Sequence, residues 1–216
     1  MTALELVESR HSVRQYKDVK IESDKREILD KLAAEINEET GFNVQIIYDE
    51  PKCFNSMMAH YGKFSGVSNY IAMVCNKDKS LDEKVGYYGE KLVIKAQELG
   101  LNTCWVAMTH GKSASVVKKG EKEVIIISLG YGETQGTAHN NKELAVLATV
   151  NDDDPDWYKD GVKAAIAAPT AVNQQKFHVE RIGEEAKITA PKGMLTALDL
   201  GIVKYNFEYV SGHKTI

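Results

Sequence analysis

Apolar residues recur at helical spacing in several stretches of the chain and alternate with polar ones in others. Residues 3–9 form a short apolar helix of barely two turns. Ile28, Leu29, Leu32, Ala33 and Ile36 then mark one face of a helix over about 24–37, with Ser23 as its expected N-cap. Gly41 breaks that helix, and the alternation from Phe42 to Tyr48 predicts a strand. The apolar run Tyr70–Cys75 predicts a buried strand, and Asp82–Leu99 the longest helix, closed by Gly100. An apolar run from Leu101 to Met108 follows, then a small helical piece around Val116, then the strongly β-branched strand Val124–Leu129. Beyond the polar stop at Asn151–Pro155 the pattern predicts a helix over Val162–Ala168, stopped by Pro169. A hairpin about Gly183, with arms 176–181 and 185–190, and a final amphipathic helix over 194–210 complete the chain.

Between the first two strands, residues 51–68 have mixed character. Phe54, Met57, Met58, Tyr61 and Phe64 fall close together among Gly62 and Gly66. Such a set fits a plain core or a flap, and it also fits the lining of a site for a flat hydrophobic ligand.

The chain echoes itself. Thr40-Gly41-Phe42-Asn43-Val44-Gln45 recurs as Thr170-Ala171-Val172-Asn173-Gln174-Gln175, and Ala96–Leu101 recurs, in the same order, as Ala197–Ile202. Each T-x-x-N-x-Q copy follows a helix and is expected to open a strand. A unit of helix, motif, strand, strand, helix would then occur twice, and duplicated halves usually pack as a pseudo-dimer. The expected organisation is one domain over 1–216, with an N-terminal half of 1–150 and a C-terminal half of 151–216.

Composition narrows the field. At 216 residues, 43% hydrophobic and 27% charged, the chain has an ordinary globular make-up and no run that would span a bilayer. Its opening residues do not read as a secretory signal, so a cytoplasmic location is expected. Three cysteines without C-x-x-C spacing predict neither a disulfide framework nor a zinc site, and Cys75 and Cys104 read as buried thiols. The acidic run Asn151–Asp154 lacks the alternating carboxylates and central glycine of a calcium loop and reads as a linker and helix cap, so no metal is expected. A net charge of −4 offers no general attraction to nucleic acid. Any anion must be met by a local cluster. The Gly130, Gly132, Gly136 spacing is one residue too long for a dinucleotide fingerprint, and no helix follows it.

Such a cluster stands at Arg10-His11-Ser12-Val13-Arg14. Two guanidiniums, each a planar fork of donors, flank an imidazole and a hydroxyl. If the first helix continued, Arg10 and Arg14 would share a face. The same residues also fit a solvated helix face paired to Glu5 and Glu8. The second T-x-x-N-x-Q copy, preceded by Ala167-Ala168-Pro169, leaves a small, proline-fixed exit in which Thr170 and Asn173 offer polar groups and Ala171 leaves room for a planar ring.

These motifs together resemble the flavin mononucleotide-dependent nitroreductase family. That family opens with R-x-S-x-R, carries A-P-S-x-x-N-x-Q at a strand start, and has a helix ending A-x-x-x-G-L-G-T before an aromatic. Arg10–Arg14, Ala168–Gln175 and Glu98–Trp105 match these. The departure is one of order: the better A-P-T-x-x-N-x-Q copy lies in the C-terminal part of the chain, as in the diverged branch whose single chain folds as a pseudo-dimer.

The resemblance implies an α+β fold with a central mixed, mainly antiparallel sheet flanked by helices. It implies FMN as cofactor, NAD(P)H as donor, and a nitro, quinone or related acceptor reduced by a ping-pong mechanism. The chemistry rests on the flavin, with no catalytic side chain. By residue, it implies Arg10, His11, Ser12 and Arg14 at the phosphate, ribityl chain and pyrimidine edge, and Thr170, Ala171, Asn173 and Gln175 against the rings. Met108 and Thr109 would offer a backbone N–H to the reactive nitrogen, and Lys142 would meet phosphate. A monomer is expected, with a homodimer as the other possibility. A flavin-holding or flavin-sensing protein without turnover, and an α+β domain without flavin, remain open alternatives.

Overall fold

The computed structural model describes residues 1–216. The chain forms two compact units. One comprises 10–81 and 92–137, and the other 1–9, 82–91 and 138–216.

The first unit is built on a four-stranded sheet of order β1-β2-β4-β3, where β1 is Gln45–Ile47, β2 Asn69–Asn76, β3 Asn102–Val106 and β4 Glu121–Gly130. Every ladder in it is antiparallel. Parallel pairing is confined to isolated bridges, of which Ser12 to Thr103 borders β3 and Gln15 to Ser65 lies nearby. Ile125, Ile126 and Ile127 are all buried in β4, as their branched side chains favour in a sheet covered on both faces. On one face, Tyr70, Cys104, Val106 and Ile126 pack with Val13, Tyr16, Phe54, Phe64 and Val67. Most of the aromatics of residues 51–68 are therefore core. The exception is Tyr61, which lies in the short helix α3 (Met57–Tyr61) and is exposed.

Helix α2 (Ser23–Thr40) presents Leu29, Leu32, Ala33 and Ile36 inward and packs beside β1. Its N-cap is Glu22 rather than Ser23, which is already helical and makes no cap bond. At its other end Gly41 adopts φ 71° and donates to the Asn37 carbonyl. The Asn37 side chain bonds both the amide and the carbonyl of Val44, so the helix exit and the start of β1 are locked together. The segment around Val116 is not helical. Val116 gives its carbonyl to Asn43 and Gln45 and its amide to the Gln45 side chain, and these bonds hold it extended beside β1.

The second unit is helical apart from one hairpin. Helix α1 (Ala3–Ser9), α5 (Leu144–Leu147), α6 (Asp156–Ala167) and α7 (Thr196–Ser211) accompany the paired strands β5 (His178–Ile182) and β6 (Glu185–Thr189). Helix α4 (Asp82–Glu98) gives its first ten residues to this unit and the rest to the other. Leu99 caps α4, and the expected stop, Gly100, follows with φ 75°.

Helix α7 is not amphipathic. Residues 198, 199, 201, 202, 203, 206 and 207 are all buried, because α6 packs against it and the first part of α4 crosses it at backbone contact. Gly201 lies inside this helix, where a Cβ would fall 1.9 Å from the Glu83 carbonyl oxygen. The glycine that matches Gly100 in the echo is thus a crossing point and not a cap.

Candidate functional site

Helix α1 stops at Ser9, and in the sheet-bearing unit the Arg10–Arg14 segment that follows runs along β3. The Val13 amide donates to the Thr103 carbonyl at 3.0 Å, and the Tyr16 amide to Ser65 at 2.9 Å. The two arginines consequently do not share a helical face. Arg10 is buried and Arg14 exposed, the latter lying 5.9 Å from the centre of the Phe64 ring and making no ion pair. His11 and Ser12 are half-buried beside Gly136, whose φ of 74° and missing side chain let it close against the His11 Cβ and the Ser12 carbonyl.

Beneath this segment sits Cys104. Burial pushes its thiol pKa up, while Arg14, Ser12 and Arg10 pull it down. The thiol is a buried structural group. Tyr16 completes the floor, bonding Ser128 through its hydroxyl at 2.8 Å.

Just past β3, Met108 is exposed and Thr109 half-buried. Thr109 presses on α3 where Gly62 has no side chain: a Cβ there would lie 2.6 Å from that of Thr109. At the other end of α3, the Gly111 amide donates to the Cys53 carbonyl at 2.6 Å and Gly111 abuts Ser56. The Ser56 hydroxyl caps the helix by accepting from the Ala59 amide.

In the other unit, Lys142, Thr170, Asn173 and Gln175 are brought together. Thr170 is extended after Pro169, and a tight turn over Ala171–Asn173 follows with Val172, Asn173 and Gln175 at φ 46°, 55° and 41°. The expected strand therefore starts only at His178. Three left-handed residues without a glycine among them are costly and persist only when their surroundings enforce them.

Those surroundings are specific. The Gln175 side chain, 2% exposed, donates to the Asn140 carbonyl and to the Asn173 side-chain oxygen, and accepts from the Lys142 amide. The Thr170 hydroxyl accepts from the Gln175 amide at 3.0 Å. Lys142 sends its ammonium to the carbonyls of Gln174 at 2.6 Å and Gln175 at 3.0 Å. From the opposite side Asp199 accepts from the Ala171 amide at 2.9 Å and the Gln174 amide group at 2.7 Å. Burial raises the Asp199 pKa, against these two bonds. Val172, 90% exposed, stands at the tip.

Sequence reasoning missed Asn140, Gln174 and Asp199. Gln174 lay inside the quoted motif, whereas Asp199 and Asn140 carry no local signal because they reach the loop only through the fold.

The class of protein follows from these features together: an α+β chain with an antiparallel sheet, a basic segment laid on one edge strand and a strained Pro-Thr loop after a helix. A putative nitroreductase from Thermotoga maritima MSB8 shares the fold over 97% of this chain and 83% of its own, at 21% identity and a TM-score of 0.71. A putative nitroreductase from Desulfovibrio desulfuricans, solved with FMN, matches 71% of this chain and 98% of its own at 15% identity and a TM-score of 0.54. A putative NADH dehydrogenase/NAD(P)H nitroreductase from Bacteroides thetaiotaomicron matches 65% of this chain and 92% of its own at 16% identity and a TM-score of 0.51. No curated protein matches. The family described as "Putative TM nitroreductase" matches residues 2–211, and the chain belongs to that nitroreductase family. No helix is long and apolar enough to cross a membrane.

Proposed function

We propose that the protein is an FMN-dependent oxidoreductase that takes two electrons from NAD(P)H and delivers them to a nitro compound, a quinone or a related acceptor. Membership of the nitroreductase family supports the reaction class, and the FMN carried by the Desulfovibrio desulfuricans relative supports the cofactor. The observation that carries the reading to this chain is local. Arg10, Ser12 and Arg14 alternate along the segment that the Ser12–Thr103 bridge and the Val13 amide lay against β3, and Arg14 is an exposed cation with no carboxylate partner. That donor set fits a phosphate-bearing cofactor.

In this reading Arg10, His11, Ser12 and Arg14 hold the phosphate, ribityl chain and pyrimidine edge, with the guanidiniums favouring negative charge at that edge. The Thr170–Gln175 loop gives Ala171 and Val172 to the ring system, since Thr170, Asn173 and Gln175 spend their side-chain groups shaping the loop. Met108 or Thr109 supplies a backbone N–H. Lys142 acts through the loop and not on phosphate. Bound flavin supplies the two-electron chemistry, and no side chain is needed as acid or base because protons come from solvent. In the balance, NAD(P)H loses a hydride to become NAD(P)⁺, and a quinone, for example, gains two electrons and two protons.

Purified protein should carry a flavin spectrum that bleaches on adding NADH or NADPH. Steady-state double-reciprocal plots against a quinone should give parallel lines, the mark of two substrates using one face in turn. A flavin that never bleaches would leave a flavin-holding protein, and protein that neither retains nor binds FMN would sink the reading.

A further inference from the structure

Four of the large apolar residues exposed on this chain fall in two segments that touch. Met57 and Tyr61, 86% and 82% exposed, lie one turn apart on the same side of α3. Met58, in the same helix, is also exposed. Met108 is 70% exposed on the loop that α3 packs against at both ends, through Gly62 and Thr109 and through Ser56 and Gly111. Three methionines and a tyrosine make an adaptable apolar face of the kind that accepts flat molecules of varied outline.

The two segments that form this face carry cations and no carboxylate. The chain carries 31 acidic residues, yet none falls between Pro51 and Lys77 or between Leu99 and Gly120, the two segments that meet here. Lys63 follows α3 directly, and Lys112 follows Gly111; neither appears in any ion pair. His60 and His110 add imidazoles. The flanking carboxylates Glu50 and Glu123 keep their charge but are turned to the protein's own donors. Glu50 accepts from the Lys52 and Cys53 amides and the Tyr70 hydroxyl, and Glu123 accepts from the Ser113 and Ser115 hydroxyls.

We propose that α3 and the loop 107–112 form the acceptor subsite of this enzyme, and that it selects flat aromatic acceptors bearing a negative charge. The inference rests on the flavin reading for the place of Met108 and Thr109. Charge complementarity sets the occupant: an uncharged ring lies on Met57, Tyr61 and Met108, while its carboxylate or sulfonate faces Lys63 and Lys112.

Three probes that share a 4-nitrophenyl ring test it with the flavin-loaded protein: 4-nitrobenzoate, 4-nitrobenzyl alcohol and (4-nitrobenzyl)trimethylammonium. The expected kcat/KM falls in that order, with about a tenfold span at low salt that shrinks at 0.5 M salt, as two exposed charges near a ligand would produce. In the double variant Lys63→Glu/Lys112→Glu the order reverses. Met57→Ala/Tyr61→Ala raises KM for all three probes by about tenfold, the loss of apolar contact, while flavin content stays unchanged.

A second readout needs no flavin: in flavin-free protein, the methyl NMR signals of Met57, Met58 and Met108 shift saturably with 4-nitrobenzoate and not with the trimethylammonium probe. Shifts without any flavin binding would keep the subsite and remove the flavin reading. Equal turnover of all three probes, unmoved by either double variant, overturns the proposal while the flavin reading stands. A Tyr61→Ala change in solution mass with unaltered kinetics overturns it as well, by showing that a second copy covers the face.

Discussion

Lys142 has three ammonium protons and gives two of them to consecutive backbone carbonyls, while its own amide binds the buried Gln175 side chain. With Asp199 gripping the Ala171 amide and the Gln174 side chain from the other side, the strained turn is held at both of its ends. A phosphate-facing lysine would look different, its charge turned outward. Replacing Lys142 with Met removes two charge-assisted bonds, each worth about 1.5–3 kcal/mol, and frees carbonyls that solvent can partly reclaim, so a net loss of about 1–2 kcal/mol is expected. The loop should then relax towards ordinary φ values. Amide exchange at Asn173, Gln174 and Gln175 should accelerate in flavin-free protein, and FMN affinity should fall about tenfold. Lys142→Arg should recover much of both, because a guanidinium can serve two carbonyls. Unchanged exchange in Lys142→Met would assign the loop's geometry to Gln175 and Asp199 alone.

Between elements, the tightest dependence is the crossing of α4 and α7. A Cβ at Gly86 would fall 2.0 Å from the Leu198 carbonyl oxygen, and one at Gly201 would fall 1.9 Å from that of Glu83. Both obstacles are helix backbone, which cannot swing aside as a side chain would. Gly201→Ala should therefore push the helices apart and cost upwards of about 3 kcal/mol, although alanine is the better helix former by about 1 kcal/mol. Thermal unfolding of the variant beside wild type measures it, and a stabilised Gly201→Ala would mean the helices slide freely.

No pattern in the sequence announces such a crossing. The same six-residue echo places one glycine at a helix exit and another inside a helix, and only the packing partner distinguishes them. The strands were legible because Ile125–Ile127 and the run Tyr70–Cys75 carry their own signal, and the β5–β6 hairpin because Gly183 sits at its turn. The Val116 segment was misread because its conformation is set by Gln45, far off in the chain. In the candidate site the basic cluster and the Thr170 loop were legible as residue types. The burial of Arg10, the exposure of Arg14 and the parts played by Asp199 and Asn140 depend on long-range contacts and were not.

At the scale of the whole chain, each of the two segments used by the flavin reading, Arg10–Arg14 and Thr170–Gln175, occurs once. The echoing segment Thr40–Gln45 is built into a helix exit and a strand. Thr40 donates to the Ile36 carbonyl and accepts from Phe42, Gly41 ends α2, and Gln45 is paired into β1 and bonded to Val116. The expected stoichiometry is one FMN per polypeptide, carried by a functional monomer. Light scattering gives the mass of the flavin-loaded protein, and absorbance gives the flavin-to-protein ratio. A ratio of one with a monomer mass, unchanged on dilution through the nanomolar range, is the expected result. Two flavins per chain would show that the Thr40 segment still serves as a cradle. A dimer that sheds its flavin as it dissociates would show that Arg14 and the Thr170 loop meet across chains, which would end the fused pseudo-dimer reading and leave the flavin chemistry untouched.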